Sequence, residues 1–190
     1  MNASYKTLGV TILSGALLMT VASAQTKTAE VFKATATVKT ADGKSGSAPI
    51  TITVDRTMPE SEANALAEAF KTGGAAALRK ALVGVAPTGT VQVRDGKPTP
   101  SRFTLERAVG GGRLLTILTD QPLVFIGANE AGAKPKAGYD FAVIDLQVDA
   151  AGAGSGTVAP AAKIKLNGSA FVVEDYSGEV VRLNGVKKTK

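Results

Sequence analysis

The chain has 190 residues and no histidine, cysteine or tryptophan, which excludes Ser-His-Asp and Cys-His catalysis and the His/Cys sites that hold zinc, copper, haem or iron–sulfur clusters. Its 22 basic and 16 acidic residues give a formal charge of +6. Only Lys187, Lys188 and Lys190 come near to a cluster, and without a dense basic stripe interleaved with stacking aromatics no nucleic-acid partner is expected. The chemistry that remains belongs to carboxylate pairs, lysine, serine–lysine, tyrosine, or oxygen-bound calcium and magnesium.

The first segment, MNASYKTLGVTILSGALLMTVASAQ, has a positive Lys6, an apolar stretch from Leu8 to Met19, and the small residues Ala22, Ser23 and Ala24 before Gln25. That order predicts a secretory signal peptide over 1–24, cleaved after Ala24. Its apolar stretch is shorter than the ~20 residues that span a bilayer, and no later segment is apolar enough. Residues 25–190 are expected to form one α+β domain with no transmembrane segment after cleavage. The expected destination is the periplasm or the medium of a bacterium, and with no cysteine neither disulfides nor a cysteine-linked lipid anchor can form.

Strands come next. Phe32, Ala34, Ala36 and Val38 alternate with Val31, Lys33, Thr35 and Thr37, and Ile50, Ile52 and Val54 repeat the pattern after an Asp42-Gly43 turn signal. Together they read as a β-hairpin. The period then changes. Thr57 and Glu60 fit a capping box with Pro59 in the first turn, and Ala63, Leu66, Ala67 and Phe70 recur at helical spacing. Gly73-Gly74 is expected to end that helix, and a second one follows with Ala75, Leu78 and Leu82 inward, stopping near Gly84.

From Thr90 onward turn signals return at short intervals. TVQVR, SRFTLERAV (with Phe103, Leu105 and Arg107 on one face), RLLTILT, LVFIGA, YDFAVIDLQVD, TVAPAAKIKL, AFVVED and EVVRLNGV all read as strands. LVFIGA is apolar on both faces and is expected at the centre of the sheet, while Asn129 to Gly138 reads as the longest polar loop. The predicted fold is a mainly antiparallel, curled sheet of about eight to ten strands with a two-helix insert after the first hairpin. A β-barrel with flanking helices is the alternative.

The stretch with the most polar detail is YDFAVIDLQVDAAGAGSGTVAPAAKIKL, from Tyr139 to Leu166. Gly152, Gly154 and Gly156 lack the following helix that a dinucleotide fingerprint requires. Asp149 stands alone in its turn, short of the ligand count of a calcium loop. A carboxylate pair would use Asp145 with Asp140 or Glu174. Asp140 lies an odd step from Asp145 and so faces the other way on a regular strand. Lys163 is a natural cross-strand partner for Asp145. The candidate polar site is therefore Asp145, Lys163 and Glu174, with no catalytic, cofactor or metal residue assigned. Ser45 and Ser101 lack a Ser-x-x-Lys pattern, and Asn167-Gly168-Ser169 reads as a turn.

Several of these segments together resemble an uncharacterised family of small secreted bacterial proteins of acidobacteria-like genomes. The likeness rests on TDQP at Thr119 to Pro122, YDFAVIDLQVD at Tyr139 to Asp149, the Gly152-x-Gly154-x-Gly156 turn, AAKI at Ala161 to Ile164, Tyr176 with VVRLNGV, and the helical EANALAEAFKTGGAAALRKAL. It implies secretion and one intact domain and carries over no activity, cofactor or site. The function expected is that of a non-catalytic secreted domain that binds a small apolar ligand or an envelope protein. A carboxylate-dependent hydrolase or lyase is the alternative, and an envelope inhibitor acting through the Asn129 to Gly138 loop is a third reading.

Overall fold

Nine strands and one helix make up the computed structural model, which describes residues 28–39, 43, 45–125, 136–176 and 179–190. The expected signal peptide and most of the Asn129 to Gly138 loop lie outside the described residues. The elements are β1 (Glu30–Lys39), β2 (Ser45–Val54), α1 (Glu60–Val83), β3 (Gly89–Val93), β4 (Thr99–Val109), β5 (Gly112–Thr119), β6 (Phe141–Asp149), β7 (Ala153–Asn167), β8 (Ala170–Tyr176) and β9 (Val181–Lys188). The strands run β6-β5-β4-β3-β2-β1-β9-β7-β8, every pair antiparallel, and β6 also pairs with β7. That last pairing closes eight of the nine strands into a barrel, with β8 a hairpin extension on the far half of β7.

The expected α+β curled sheet with a two-helix insert is overturned by this closure. Open sheets leave edges, and a barrel removes them. Two glycines let β7 fit between its neighbours. Gly154 pairs with Val148 of β6 and Val186 of β9, and a Cβ there would sit 1.9 Å from the carbonyl oxygen of Gln147. Gly156, opposite Leu146, would bring a Cβ to 2.4 Å from the Asp145 carbonyl. These glycines cradle nothing; they admit a neighbouring backbone.

Alternation then decides which side chains fill the barrel. Phe32 and Ala36 of β1, Ile50 and Ile52 of β2, Leu115 and Ile117 of β5, and Ala142, Ile144, Leu146 and Val148 of β6 form one buried cluster. An eight-stranded barrel has an interior about wide enough for side chains to fill, and here they fill it. Leu123 and Phe125 join the same cluster from the segment after β5, where the Leu123 N–H donates to the Pro160 carbonyl of β7. The first half of the expected LVFIGA strand is corrected by this finding: Leu123 and Val124 are not in a strand and Phe125 makes only an isolated bridge, while Ile126 to Ala128 lie outside the described residues. The apolar pair there serves as a plug.

The helical residues form one element, kinked where Gly73 (φ −139°) and Gly74 (φ 63°) leave helical geometry. It lies outside the barrel. Leu66, Leu78 and Leu82 pack with Phe103, Leu118, Phe141 and Val143, the outward residues of β4, β5 and β6, and with Phe171 of β8. Phe171 meets Phe70 and Phe103 edge to face at centroid distances of 5.7 and 5.2 Å. The doubly buried strand is thus β6, inward to the barrel and outward to α1. No capping box forms, because the Met58 N–H donates to the Thr104 carbonyl and Pro59 takes the N-cap position without a side-chain bond.

Candidate functional site

The three residues of the predicted polar site are not brought together. Asp145 lies on the outer face of β6, opposite Thr157 of β7 and Thr116 of β5, and Thr116 Oγ1 donates to its Oδ1 at 2.7 Å. Lys163 is six residues farther along β7, about 20 Å by strand rise, where it pairs in register with Asp175 of β8. Glu174 is the extra residue of the bulge between the Lys163–Asp175 and Ile164–Val173 pairs, and it is exposed. The β6–β7 register itself keeps Asp145 and Lys163 apart, since it sets Asp145 opposite Thr157 and the bulge near Val143 shifts the pairing by one residue only. That bulge, between Ala159 and Ala162 on β7, also switches faces along the strand: Val158 points into the barrel, whereas Ala162 and Ile164, an even number of residues on, join the outer cluster under α1.

Asp140 and Asp149, the other carboxylates singled out from the sequence, are engaged locally, and so is Asp175 of β8. Asp140 pairs with Arg79 of α1. Asp149 Oδ1 accepts the N–H groups of Ala151 and Ala153, both at 2.9 Å, and so caps its own turn. Asp175 accepts the Tyr139 hydroxyl at 2.5 Å. That bond, with the Tyr176 N–H and the nearby lysines, holds the Asp175 carboxyl below its usual range and raises the Tyr139 phenol. Lys163 and Lys136 stand 5.1 and 5.3 Å from the Tyr139 ring centroid. Ser101 lies in strand β4, where its Oγ is 3.2 Å from that of Thr88, which accepts from Thr104 at 2.9 Å, all three residues buried. Among the described residues no three carboxylates converge as a metal ion would require.

A cluster that the sequence reading missed closes one mouth of the barrel. Glu30 and Arg113 occupy inward positions on β1 and β5, in phase with Phe32 and Leu115. Glu30 Oε1 accepts from Arg113 at 2.9 Å and from Lys188 at 2.7 Å, and Arg113 also reaches Glu106 at 3.2 Å. The Arg113 guanidinium lies 5.9 Å from the Phe32 ring centroid, across the top of the apolar core. Burial pushes the Glu30 carboxyl up, but the bonds from Arg113 and Lys188 outweigh it, and the group is held below the usual glutamate range. Its Oε2 is buried with no partner. A charged residue on the apolar phase of a strand is the signal that could have flagged Glu30 and Arg113.

The opposite character belongs to the outer wall made by β6, β7, β9 and β1. A shallow cleft of about 460 Å³ lies over its β6, β7 and β9 strands, lined by Asp145, Gln147, Ser155, Thr157, Arg182 and Asn184 together with Leu114 and Leu183. Asn184 Nδ2 donates to Thr37 Oγ1 at 2.9 Å, tying β9 to β1 beside the cleft. Most of these are hydrogen-bonding side chains on a pleated surface. No protein-family model, no curated protein and no solved structure matches the chain.

Proposed function

We propose that this protein is a secreted, non-catalytic binding module that engages a partner of the cell envelope through the outer wall of its barrel. The observation that carries this reading is the filled lumen: Phe32, Ile52, Leu115, Ile117, Ile144 and Leu146 are fully buried in one cluster with Leu123 and Phe125. A carrier of small apolar molecules needs a preformed hollow of about 300–1,000 Å³. A ligand entering here would have to displace core side chains, each worth about 1.5–3 kcal/mol of burial. Carboxylate chemistry is a poorer match. It needs two convergent carboxyls with one raised in pKa, whereas Glu30 and Glu106 share Arg113 and Glu30 is shifted downward.

Native mass spectrometry of the protein purified from its own periplasm or medium tests the reading, together with photo-crosslinkers placed at Thr157, Asn184 and, as a control across the molecule, Thr72. The expected result is a lumen free of any apolar small molecule and a crosslinked partner from the first two positions only. A stoichiometric apolar molecule released on denaturation, or equal capture from Thr72, would sink it.

A further inference from the structure

Strands β1, β2 and β9 contain a single acidic residue, Glu30, and it points into the barrel. Their outward positions are therefore cationic or neutral. Lys33 and Lys187 stand directly opposite each other across β1 and β9, and Arg182 stands opposite Thr37 four residues along β1, about 13 Å away by strand rise. All three cations are exposed, and among the described residues none has a carboxylate partner. Like charges placed directly opposite on one face of a sheet are destabilising. A solvent face that keeps such a pair uncompensated favours an anion from outside.

The neighbours of these cations narrow the class of anion. Between them lie Thr35 and Asn184, and beyond Arg182 the cleft continues over Ser155 and Thr157. The wall offers hydroxyl and amide groups and no outward aromatic, because the one aromatic of β1, β2 and β9, Phe32, is in the core. Base stacking, which single-stranded nucleic acid uses, has no platform here, and the buried aromatic anchors typical of protein interfaces are missing from the wall. Asp145 and Asp149 on β6 bound the cationic area on one side, the first holding Thr116 and the second its own turn. We infer that this wall binds an acidic polysaccharide, its anionic groups on Lys33, Lys187 and Arg182 and its hydroxyls against Asn184, Ser155 and Thr157. The inference rests on the outer-wall reading above and names the occupant.

The test uses polygalacturonate as the probe in titration calorimetry at low salt, beside neutral dextran, phosphatidylglycerol vesicles and a single-stranded DNA oligomer. Polygalacturonate is expected to bind and to be released by salt, since exposed charge pairs are screened within about 10 Å at 0.1 M. The combined Lys33→Glu, Arg182→Glu and Lys187→Glu change should weaken binding by at least about tenfold, each exposed pair contributing up to about 1 kcal/mol. The same reversal at Lys71, Lys80 and Lys97 should leave affinity within about twofold, with circular dichroism confirming that both variants fold. Equal loss in the two variants, tighter binding of the DNA or the vesicles, or no binding of polygalacturonate would each overturn the inference. Any of these leaves the binding-module reading to its own test, because that depends on a lumen packed with side chains and free of ligand, and on crosslinks at Thr157 and Asn184.

Discussion

Replacing Arg113 by methionine isolates the energetics of the barrel mouth. The Glu30 side chain is 8% exposed, and its one bonded oxygen is shared by Arg113 and Lys188, the latter 36% exposed. Breaking a buried ion pair by removing one partner typically costs about 3–5 kcal/mol, because a charge stays behind unpaired. Lys188 remains on the same oxygen, so the cost here is expected below that range, about 2–3 kcal/mol. The Arg113–Glu106 bond, with Glu106 32% exposed, adds less than about 1 kcal/mol. Converting Glu30 to leucine in the same chain removes the stranded charge and extends the apolar phase of β1 beyond Phe32. The Glu30→Leu/Arg113→Met chain should therefore recover to within about 1 kcal/mol of the parent. Urea unfolding followed by far-ultraviolet circular dichroism reads both. With a slope of about 2 kcal/mol/M, the single change lowers the midpoint by about 1 M or more and the double change by less than half of that. If the double variant is as unstable as the single one, an orphaned buried charge is not what the arginine prevents, and the reasoning fails.

Acid should reveal the same cluster. The folded pKa of Glu30 lies below its unfolded value, so its stabilisation is complete above the unfolded value, about 4.3, and is lost as pH falls through the folded one. The Glu30→Leu/Arg113→Met chain should lose less stability between neutral pH and acid than the parent; equal losses in urea titrations at the two pH values would show that Glu30 is not a source of acid lability. Gly154→Ala should cost more than about 2 kcal/mol, because its Cβ meets the Gln147 backbone at 1.9 Å. Gly168→Ala, with φ +65° and open space around it, should cost only about 1 kcal/mol, and thermal midpoints that rank the two the other way would refute the closure argument. Tyr139 should ionise above the ordinary tyrosine range and move downward in Asp175→Ala, since the Asp175 bond is the main cause of its shift. Phenolate absorbance in a chain carrying Tyr5→Phe and Tyr176→Phe measures this, and an unmoved titration would break the link.

Period-two alternation was legible wherever one face of a strand meets water. Ile50, Ile52 and Val54 face the lumen and Thr51 and Thr53 do not, as their order in the chain implies. The α1 stripe was legible for the same reason at period 3.6. Closure was not, because it depends on β7 meeting β6 and β9 at once, and the glycines that permit it look like turn residues in a string. LVFIGA, apolar throughout, reads as the doubly buried strand, and β6 does not, because Asp145 and Gln147 give it a polar face. Those two residues lie past the part of the wall covered by α1, while Phe141 and Val143 lie under it.

The candidate site failed for a reason that bears on function. Asp145 and Lys163 lie on paired strands, but the register sets them six residues apart, and the bulge between Ala159 and Ala162 divides β7 so that its first half belongs to the barrel wall and its second half to the hairpin under α1. One strand thus contributes to two surfaces. The half with Ser155 and Thr157 lies open beside the cations of β1 and β9, and the half with Ala162 and Ile164 is sealed. Sealing that side with α1 and filling the lumen leave the β1–β9–β7 wall as broad polar surface built on rigid strands. A surface of that kind can read a repeating, hydrated polymer with little rearrangement of the barrel, since the register beneath it already fixes the spacing of the backbone positions that carry its side chains.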